Sequence, residues 1–283
     1  MSVDSDRVRR YYDDNTRLLL GLGQGTEGSI HRAVWGPGVT DRRQAMAYVD
    51  TLVIDRVTRL GAELGRAPHV VDLGSGVCAS LCRIAEQVPI RGTGITISGA
   101  QVDLARRRIE ARGLTASVRS IQADFCNLPA QLDRADVAFA IEAFVHATSA
   151  AAFFHECARL VRPGGYLILC DDLVADAGLR ADRRVARWLD RFRDGWMAGN
   201  LVSLAEADDL ARSAGFSHEE TRDLSRHIEI GRPRDRAVAL LMRGFGRLPV
   251  AGSYWSMLRG GHALQVCLKR GWITHVFVVW KRR

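Results

Sequence analysis

A chain of 283 residues that is 47% hydrophobic and 25% charged can bury a sizeable core, which predicts a soluble globular protein. Met1 to Arg10 is polar and charged, and no apolar run reaches the roughly 18 residues of a membrane span, so neither secretion nor membrane insertion is expected. The formal charge of +8 is carried by arginine apart from Lys269 and Lys281, without a basic block or an aromatic-interleaved basic tract, so nucleic acid is not an expected partner.

Residues 4 to 22 place Val8, Tyr11, Tyr12, Leu18 and Leu19 at mixed helical spacing, which predicts one or two short helices. Gly21 to Gly38 is a glycine-rich loop containing His31 and Trp35, of the kind that covers a site. Ala45 to Leu64 is an amphipathic helix closed by glycine. The first strand is His69 to Leu73, and its apolar run breaks into Gly74-Ser75-Gly76, a turn whose small residues let backbone N–H groups approach a nucleotide-like ligand. Helix Ala79–Gln87, strand Gly92–Ile97, helix Gln101–Arg112 and strand Ser117–Ala123 follow. Strand Ala135–Ile141, helix Ala150–Val161 and strand Tyr166–Asp171 complete an alternating pattern, the signature of right-handed βαβ units around a parallel sheet.

Beyond Asp172 the pattern changes. Leu179 to Met197 carries Val185, Trp188, Leu189, Phe192 and Trp196 on one stripe, read as a helix packing aromatics into the core. Ser203–Ser213 is a further helix, Glu220–Ile230 a sixth strand, Pro233–Met257 mainly helical and Thr274–Lys281 a terminal strand. The six cysteines include no Cys-x-x-Cys pair, which predicts buried thiols in a reducing cytoplasm and disfavours a zinc site.

Val70 to Cys78, then Gly94-Ile95-Thr96-Ile97-Ser98 with Gln101, Gln122-Ala123-Asp124-Phe125 and Arg162-Pro163-Gly164-Gly165-Tyr166, resemble in order and spacing the class I S-adenosylmethionine-dependent methyltransferases. The resemblance implies an α/β, Rossmann-like sheet of about seven strands with helices on both faces, an N-terminal helical lid and helical insertions in the C-terminal part. Residues 1–44 would form the lid and substrate segment, and residues 45–283 the methyltransferase domain, with covering helices at about 176–200 and 233–258. S-adenosylmethionine is the implied cofactor. Asp72, Gly74, Ser75 and Gly76 would meet its methionine portion, Thr96, Ile97, Ser98 and Gln101 its ribose, and Asp124 with Phe125 its adenine. Two positions depart from the pattern: Cys78 stands at the third glycine, and Thr96 where an acid usually closes the second strand. A nicotinamide dehydrogenase shares the glycine turn but needs that third glycine and an acid about 20 residues on, and this chain has neither.

Glu142 and His146 follow the fourth strand, at the carboxyl edge where open α/β sheets bind ligands, and are the candidate acid–base groups together with Tyr12. The Gly-Ile-Thr-Ile-Ser-x-x-Gln form is similar to the branch methylating carbon on lipid-like substrates. Tyr12 to Arg17 and Ile30 to Trp35 are similar, more loosely, to methyltransferases of prenyl diphosphates and terpenoids. That implies alkene C-methylation through a carbocation followed by deprotonation. Tyr11, Tyr12, Asn15, Arg17, His31, Arg32, Trp35 and Phe144 would then be the substrate residues, and Mg2+ would be needed only for a diphosphate. The alternatives are O- or N-methylation of a small natural product, with Glu142 or His146 as base, and an inactive RNA-binding protein of the same fold. Partners are otherwise a small-molecule substrate, with a homo-oligomer left open.

Overall fold

The computed structural model describes residues 5–21, 31–245 and 253–283. Among them, seven strands form one sheet in the order β3-β2-β1-β4-β5-β7-β6. β1 (His69–Leu73), β2 (Arg91–Thr96), β3 (Val118–Gln122), β4 (Ala135–Ile141) and β5 (Val161–Val174) are parallel, and β7 (Ile273–Arg282) runs antiparallel between β5 and β6 (Phe216–Asp223). The fold is thus the expected Rossmann-like methyltransferase sheet with helices. Strand order reverses between β1 and β4, so ligands belong in the crevice beyond the carboxyl ends of those two strands.

β1 and β4 are buried along their whole length, which explains their near-continuous apolar composition. One core lies under α2 (Arg42–Leu64), α3 (Ala79–Gln87) and α4 (Gly99–Ala111), where Val53, Val57, Leu81 and Ile109 pack onto Val70 and Phe139. The other lies under α5 (Ala150–Leu160) and α7 (Leu204–Ser213), where Phe154 meets Phe144, Phe153 and Trp280 edge to face and Phe144 lies tilted against Phe153. Asp41 caps α2 by accepting from the Gln44 N–H, Ser98 caps α4 through the Gln101 N–H, and Ser203 with Glu206 forms a capping box on α7. All six cysteines are free, five of them buried and Cys126 partly exposed.

α1 (Ser5–Gly21) is one helix, and α6 (Arg183–Trp196) pairs with α9 (Ser253–Lys269). The helices cross in backbone contact: a Cβ on Gly195 would stand 2.4 Å from the Ser256 carbonyl oxygen, and one on Gly260 2.4 Å from the Trp196 ring. α8 (Pro233–Phe245) and α9 divide the single helical stretch expected over 233–257, and α9 runs on to Lys269. β6 is displaced from the expected Glu220–Ile230. As an edge strand it buries only Phe216, whereas Leu224 and Ile228 pack beyond its end, with Ile228 bridging to Val34.

The glycine turn leans on β2. Cys78 sits in the left-handed region at φ +56° and starts α3, and its thiol fills the space beside Gly94, where a Cβ would lie 2.4 Å from the sulfur and 2.8 Å from Ser75 Oγ. The departure at Cys78 is therefore matched by a glycine on the neighbouring strand. Gly94→Ala is expected to lower stability by about 1–3 kcal/mol, as overpacking does, and adding Cys78→Gly to restore part of it. Denaturant midpoints measure both, and an unmoved midpoint for Gly94→Ala would show that the turn does not rest on β2.

Candidate functional site

A cavity opens at the β1/β4 switch point, over the carboxyl ends of the strands. One wall is Gly74, Ser75 and Gly76 with Thr96, Ile97, Gln101, Asp124 and Phe125. Gly74 is left-handed at φ +87° and passes so close to the next crossover that a Cβ would come within 2.4 Å of the Ala143 Cβ. Glycine is the residue that meets both demands.

α1 lies across this wall. Ser5 Oγ donates to Asp124 Oδ2 at 2.6 Å, Ser98 Oγ donates to Asp13 Oδ1 at 2.5 Å, and Gln101 Nε2 donates to Thr16 Oγ1 at 3.1 Å. Thr96 Oγ1 donates to Gln101 Oε1 at 2.6 Å, so the polar groups after β2 form one chain of bonds ending on the helix. Asp124 also accepts from the Cys126 N–H at 2.8 Å, which folds the Asp-Phe-Cys turn and presents Phe125 edge-on to Phe153.

The opposite end is polar at its floor and apolar at its roof. Arg32 is the centre of the floor. Its backbone N–H donates to Glu142 Oε1 at 2.8 Å, its Nε lies 3.4 Å from Glu142 Oε2, and its Nη2 lies 2.7 Å from Asp172 Oδ2. Both carboxyls are held below their ordinary 4.5 and 3.8 by this guanidinium, against burial, which alone would raise them. His275, fully buried on β7, completes the cluster at 3.1 Å from Asp172 Oδ1. Glu142 adopts φ +50°, a left-handed conformation rare outside glycine and a local strain at the end of β4. Asp171, the neighbour of Asp172, faces the same cavity and is pushed up to about 8 by burial first and the Asp172 charge second.

His146 follows Glu142 by one turn. Its Nδ1 lies 3.2 Å from the Met197 carbonyl oxygen. Because a carbonyl can only accept, Nδ1 carries the proton and Nε2 keeps its lone pair. Burial lowers the imidazole pKa below 6.5, so the ring is neutral at pH 7. Tyr12 meets it edge to face with ring centroids 5.6 Å apart. The roof is Phe192 and Trp196 of α6, Val238 of α8, and Met257, Leu258 and Leu264 of α9, with Trp196 Nε1 donating to the Met257 carbonyl at 3.1 Å.

Of the residues expected at the site, Tyr12, His31, Arg32, Glu142 and His146 meet on this side of the cavity, and Gly74, Ser75, Gly76, Thr96, Ile97, Gln101, Asp124 and Phe125 on the other. Asp72 does not line it. Its carboxyl lies under the turn, raised well above its ordinary range by burial and by Asp50. Ser98 is buried behind the wall as the α4 cap. Phe144 points into the aromatic core 4.8 Å from Phe153, and Trp35 packs against Ala33, Ala45 and Met46, so neither aromatic reaches the cavity. The side chains of Tyr11, Asn15 and Arg17 lie outside the described residues, as do residues 22–30 of the expected lid and 246–252 of the expected cover. Asp171 and Asp172 were not expected there, whereas Val238, Met257 and Leu258 of the roof fall within the covering helices expected at about 233–258, and Leu264 lies beyond them. Phe192 and Trp196 belonged to the aromatic stripe read as core, and they serve both purposes. Among the described residues no cluster of three or more metal-ligating side chains occurs, and no helix is long and apolar enough to cross a membrane.

Arg32→Met would leave Glu142 and Asp172 buried without their cation, at a cost of about 3–5 kcal/mol at pH 7. Their depressed pKa values contribute stability above the unfolded values near 4 that is lost as pH falls through the lower folded ones. The gap in melting temperature between variant and parent should therefore be widest at neutral pH and close in acid, and a gap independent of pH would contradict the ion-pair assignment.

Residues 71–169 match the family described as Methyltransferase domain. An "O-methyltransferase cnsE" of Penicillium expansum is 32% identical over 224 residues, covering 78% of this chain and 76% of that one. An "O-methyltransferase" of Pyrenophora dematioidea is 29% identical over 253 residues, covering 89% and 88%. The crystal structure of the [4+2]-cyclase SpnF superposes with a TM-score of 0.75 at 22% identity, over 100% of this chain and 97% of that one, a likeness of fold.

Proposed function

We infer, for a chain that belongs to the class I S-adenosylmethionine-dependent methyltransferases, that it methylates a hydroxyl oxygen of a largely apolar small molecule of secondary metabolism, with His146 as the base. The observation that carries this is the 3.2 Å contact of His146 Nδ1 with the Met197 carbonyl, which commits the N–H to that nitrogen and leaves Nε2 unprotonated, on a ring that burial keeps neutral at the pH where a hydroxyl must lose its proton. The names of the fungal relatives support transfer to oxygen.

The residues present fit the cofactor. Gly76 lines the cavity at φ +53° with nothing within 4 Å of where a Cβ would stand, so the turn leaves room for a ligand against its backbone. Asp124 offers a carboxylate to an exocyclic amine, and Phe125 a ring face to a base. Bound S-adenosylmethionine supplies an electrophilic methyl group on a sulfonium, displaced in line.

The chain's own residues then have three tasks. The roof of Phe192, Trp196, Met257 and Leu264 excludes water and takes up the apolar body of the acceptor. Tyr12 and the glycine turn bring acceptor and methyl group to contact distance, which is where enzymes gain most in a displacement. His146 Nε2 accepts the hydroxyl proton as the oxygen–carbon bond forms and the sulfur–carbon bond breaks.

The site's charge bears on the acceptor. Asp124, Glu142, Asp172, Glu229 and Asp235 line the cavity, and of its arginines Arg32 is paired with Glu142 and Asp172 and Arg232 with Glu229 and Asp235, while Arg234 is exposed. A diphosphate would have to compete with carboxylates for Arg32 and Arg232, and a neutral hydroxylated acceptor would not. Alkene C-methylation is the second reading, favoured by one observation: Glu142 is held ionised in the cavity, where a carboxylate can stabilise a carbocation.

A panel of neutral phenols, aliphatic alcohols and prenyl diphosphates with methyl-labelled cofactor tests the choice. Label is expected in the hydroxylated compounds, and label confined to the prenyl diphosphates would overturn it. His146→Gln should lower kcat by about 10²–10⁴-fold with cofactor binding retained by calorimetry, and Glu142→Gln by less. The parent's kcat should fall as pH drops through the lowered His146 pKa, below 6.5, and stay level above it. A profile that keeps falling from pH 8 would point to another base.

A further inference from the structure

A base is effective only if its ring is held in one tautomer and one place, and His146 is carried by a turn of three residues, Phe144–His146. Both polar groups of Val145 at its centre are taken. The Val145 N–H donates to Asp171 Oδ2 at 3.0 Å, and the Val145 carbonyl accepts from the Asn200 N–H at 3.0 Å. Asn200 Nδ2 reaches the preceding carbonyl, that of Phe144, at 3.4 Å. The other oxygen of Asp171 accepts from the Asp172 N–H at 2.8 Å, so both oxygens of this carboxyl group are engaged by backbone donors.

The two holding residues come from different elements. Asp171 is on β5, and Asn200 follows the left-handed Met197 (φ +53°) that ends α6 and whose carbonyl accepts the hydrogen bond of His146 Nδ1–H. Both are buried, at 1% and 7% exposure. The turn is thus clamped between the sheet and the covering helix, and the same segment that clamps it also sets the tautomer.

We propose that Asp171 and Asn200 are positioning residues of the transfer reaction, whose side chains grip the Phe144–Val145 peptide from opposite sides, Asp171 at its N–H and Asn200 at its carbonyl, so that His146 keeps Nδ1 on Met197 and Nε2 toward the acceptor. This rests on the reading of His146 as the base. Asn200 does not line the cavity and Asp171 does, but in this role each acts through the turn.

Asp171→Asn and Asn200→Asp keep size while disturbing one side of the grip each. Imidazole 15N spectra of the full-length, ligand-free chain report the His146 tautomer directly. The parent should show Nε2 unprotonated, and each variant a mixed or altered tautomer. With an acceptor found in the panel, each variant should lower kcat by about 10–100-fold, the scale of a misplacement near 1 Å, with KM for the cofactor unchanged. In a His146→Gln background the same substitutions should cost nothing further, as expected of residues acting through one group. An unaltered His146 spectrum with undiminished kcat in both variants, or an equal loss in the His146→Gln background, would overturn the proposal. The variants probe opposite sides of the peptide, so misfolding of one leaves the other decisive. Full activity of His146→Gln alone would instead sink the base assignment, while the spectra still decide whether Asp171 and Asn200 hold the ring.

Discussion

The arginine at position 32 is the interaction on which the acceptor end of this molecule depends. Three acidic side chains, Glu142, Asp171 and Asp172, converge at the ends of β4 and β5, where isolated charges are costly to bury. Arg32 compensates two of them directly, with its backbone N–H as well as its guanidinium, and His275 supports the second. Asp171 is left with backbone donors alone, and its ordinary acidity is lost. A segment near the amino terminus is thereby fastened to three strands of the sheet, and the cavity floor is closed with little net positive charge to offer a ligand.

Everything above that floor follows from where the strands end. The reversal of strand order between β1 and β4 opens the crevice, the left-handed Gly74 and Glu142 turn the chain sharply at its two lips, and the crossing of α6 and α9 through Gly195 and Gly260 lowers an apolar roof. One side of the cavity is a chain of small polar groups joined to α1, whereas the other combines a fixed imidazole with aromatic and aliphatic side chains. Such a division suits a reaction in which one partner is recognised by hydrogen bonds and the other by burial.

Much of this was legible from residue order. The parallel strands, their connecting helices and the glycine turn follow from apolar runs and turn residues, and Glu142 and His146 are visible as polar residues among apolar ones at a strand end. Strand β6 was misplaced because an edge strand that buries one residue carries little periodic signal, while Leu224 and Ile228 beyond it do. Phe144 and Trp35 were expected at the site on their aromatic character, yet strand-end geometry turns Phe144 into the core and Trp35 onto α2. The pairing of Arg32 with Asp172, and the grip of Asp171 and Asn200 on Val145, join positions far apart in the chain. Only the strand register and the α6 terminus bring them together.

The central claim is that the methyl group goes to oxygen under the control of His146. Incubating the enzyme with 13C-methyl-labelled cofactor and its accepted substrate, and recording the carbon spectrum of the product, tests this most directly, because a methyl bonded to oxygen and one bonded to carbon resonate in separate regions. The account predicts a single labelled O-methyl signal that disappears in the His146→Gln enzyme. A labelled methyl on carbon, or an O-methyl signal undiminished by that substitution, would contradict it.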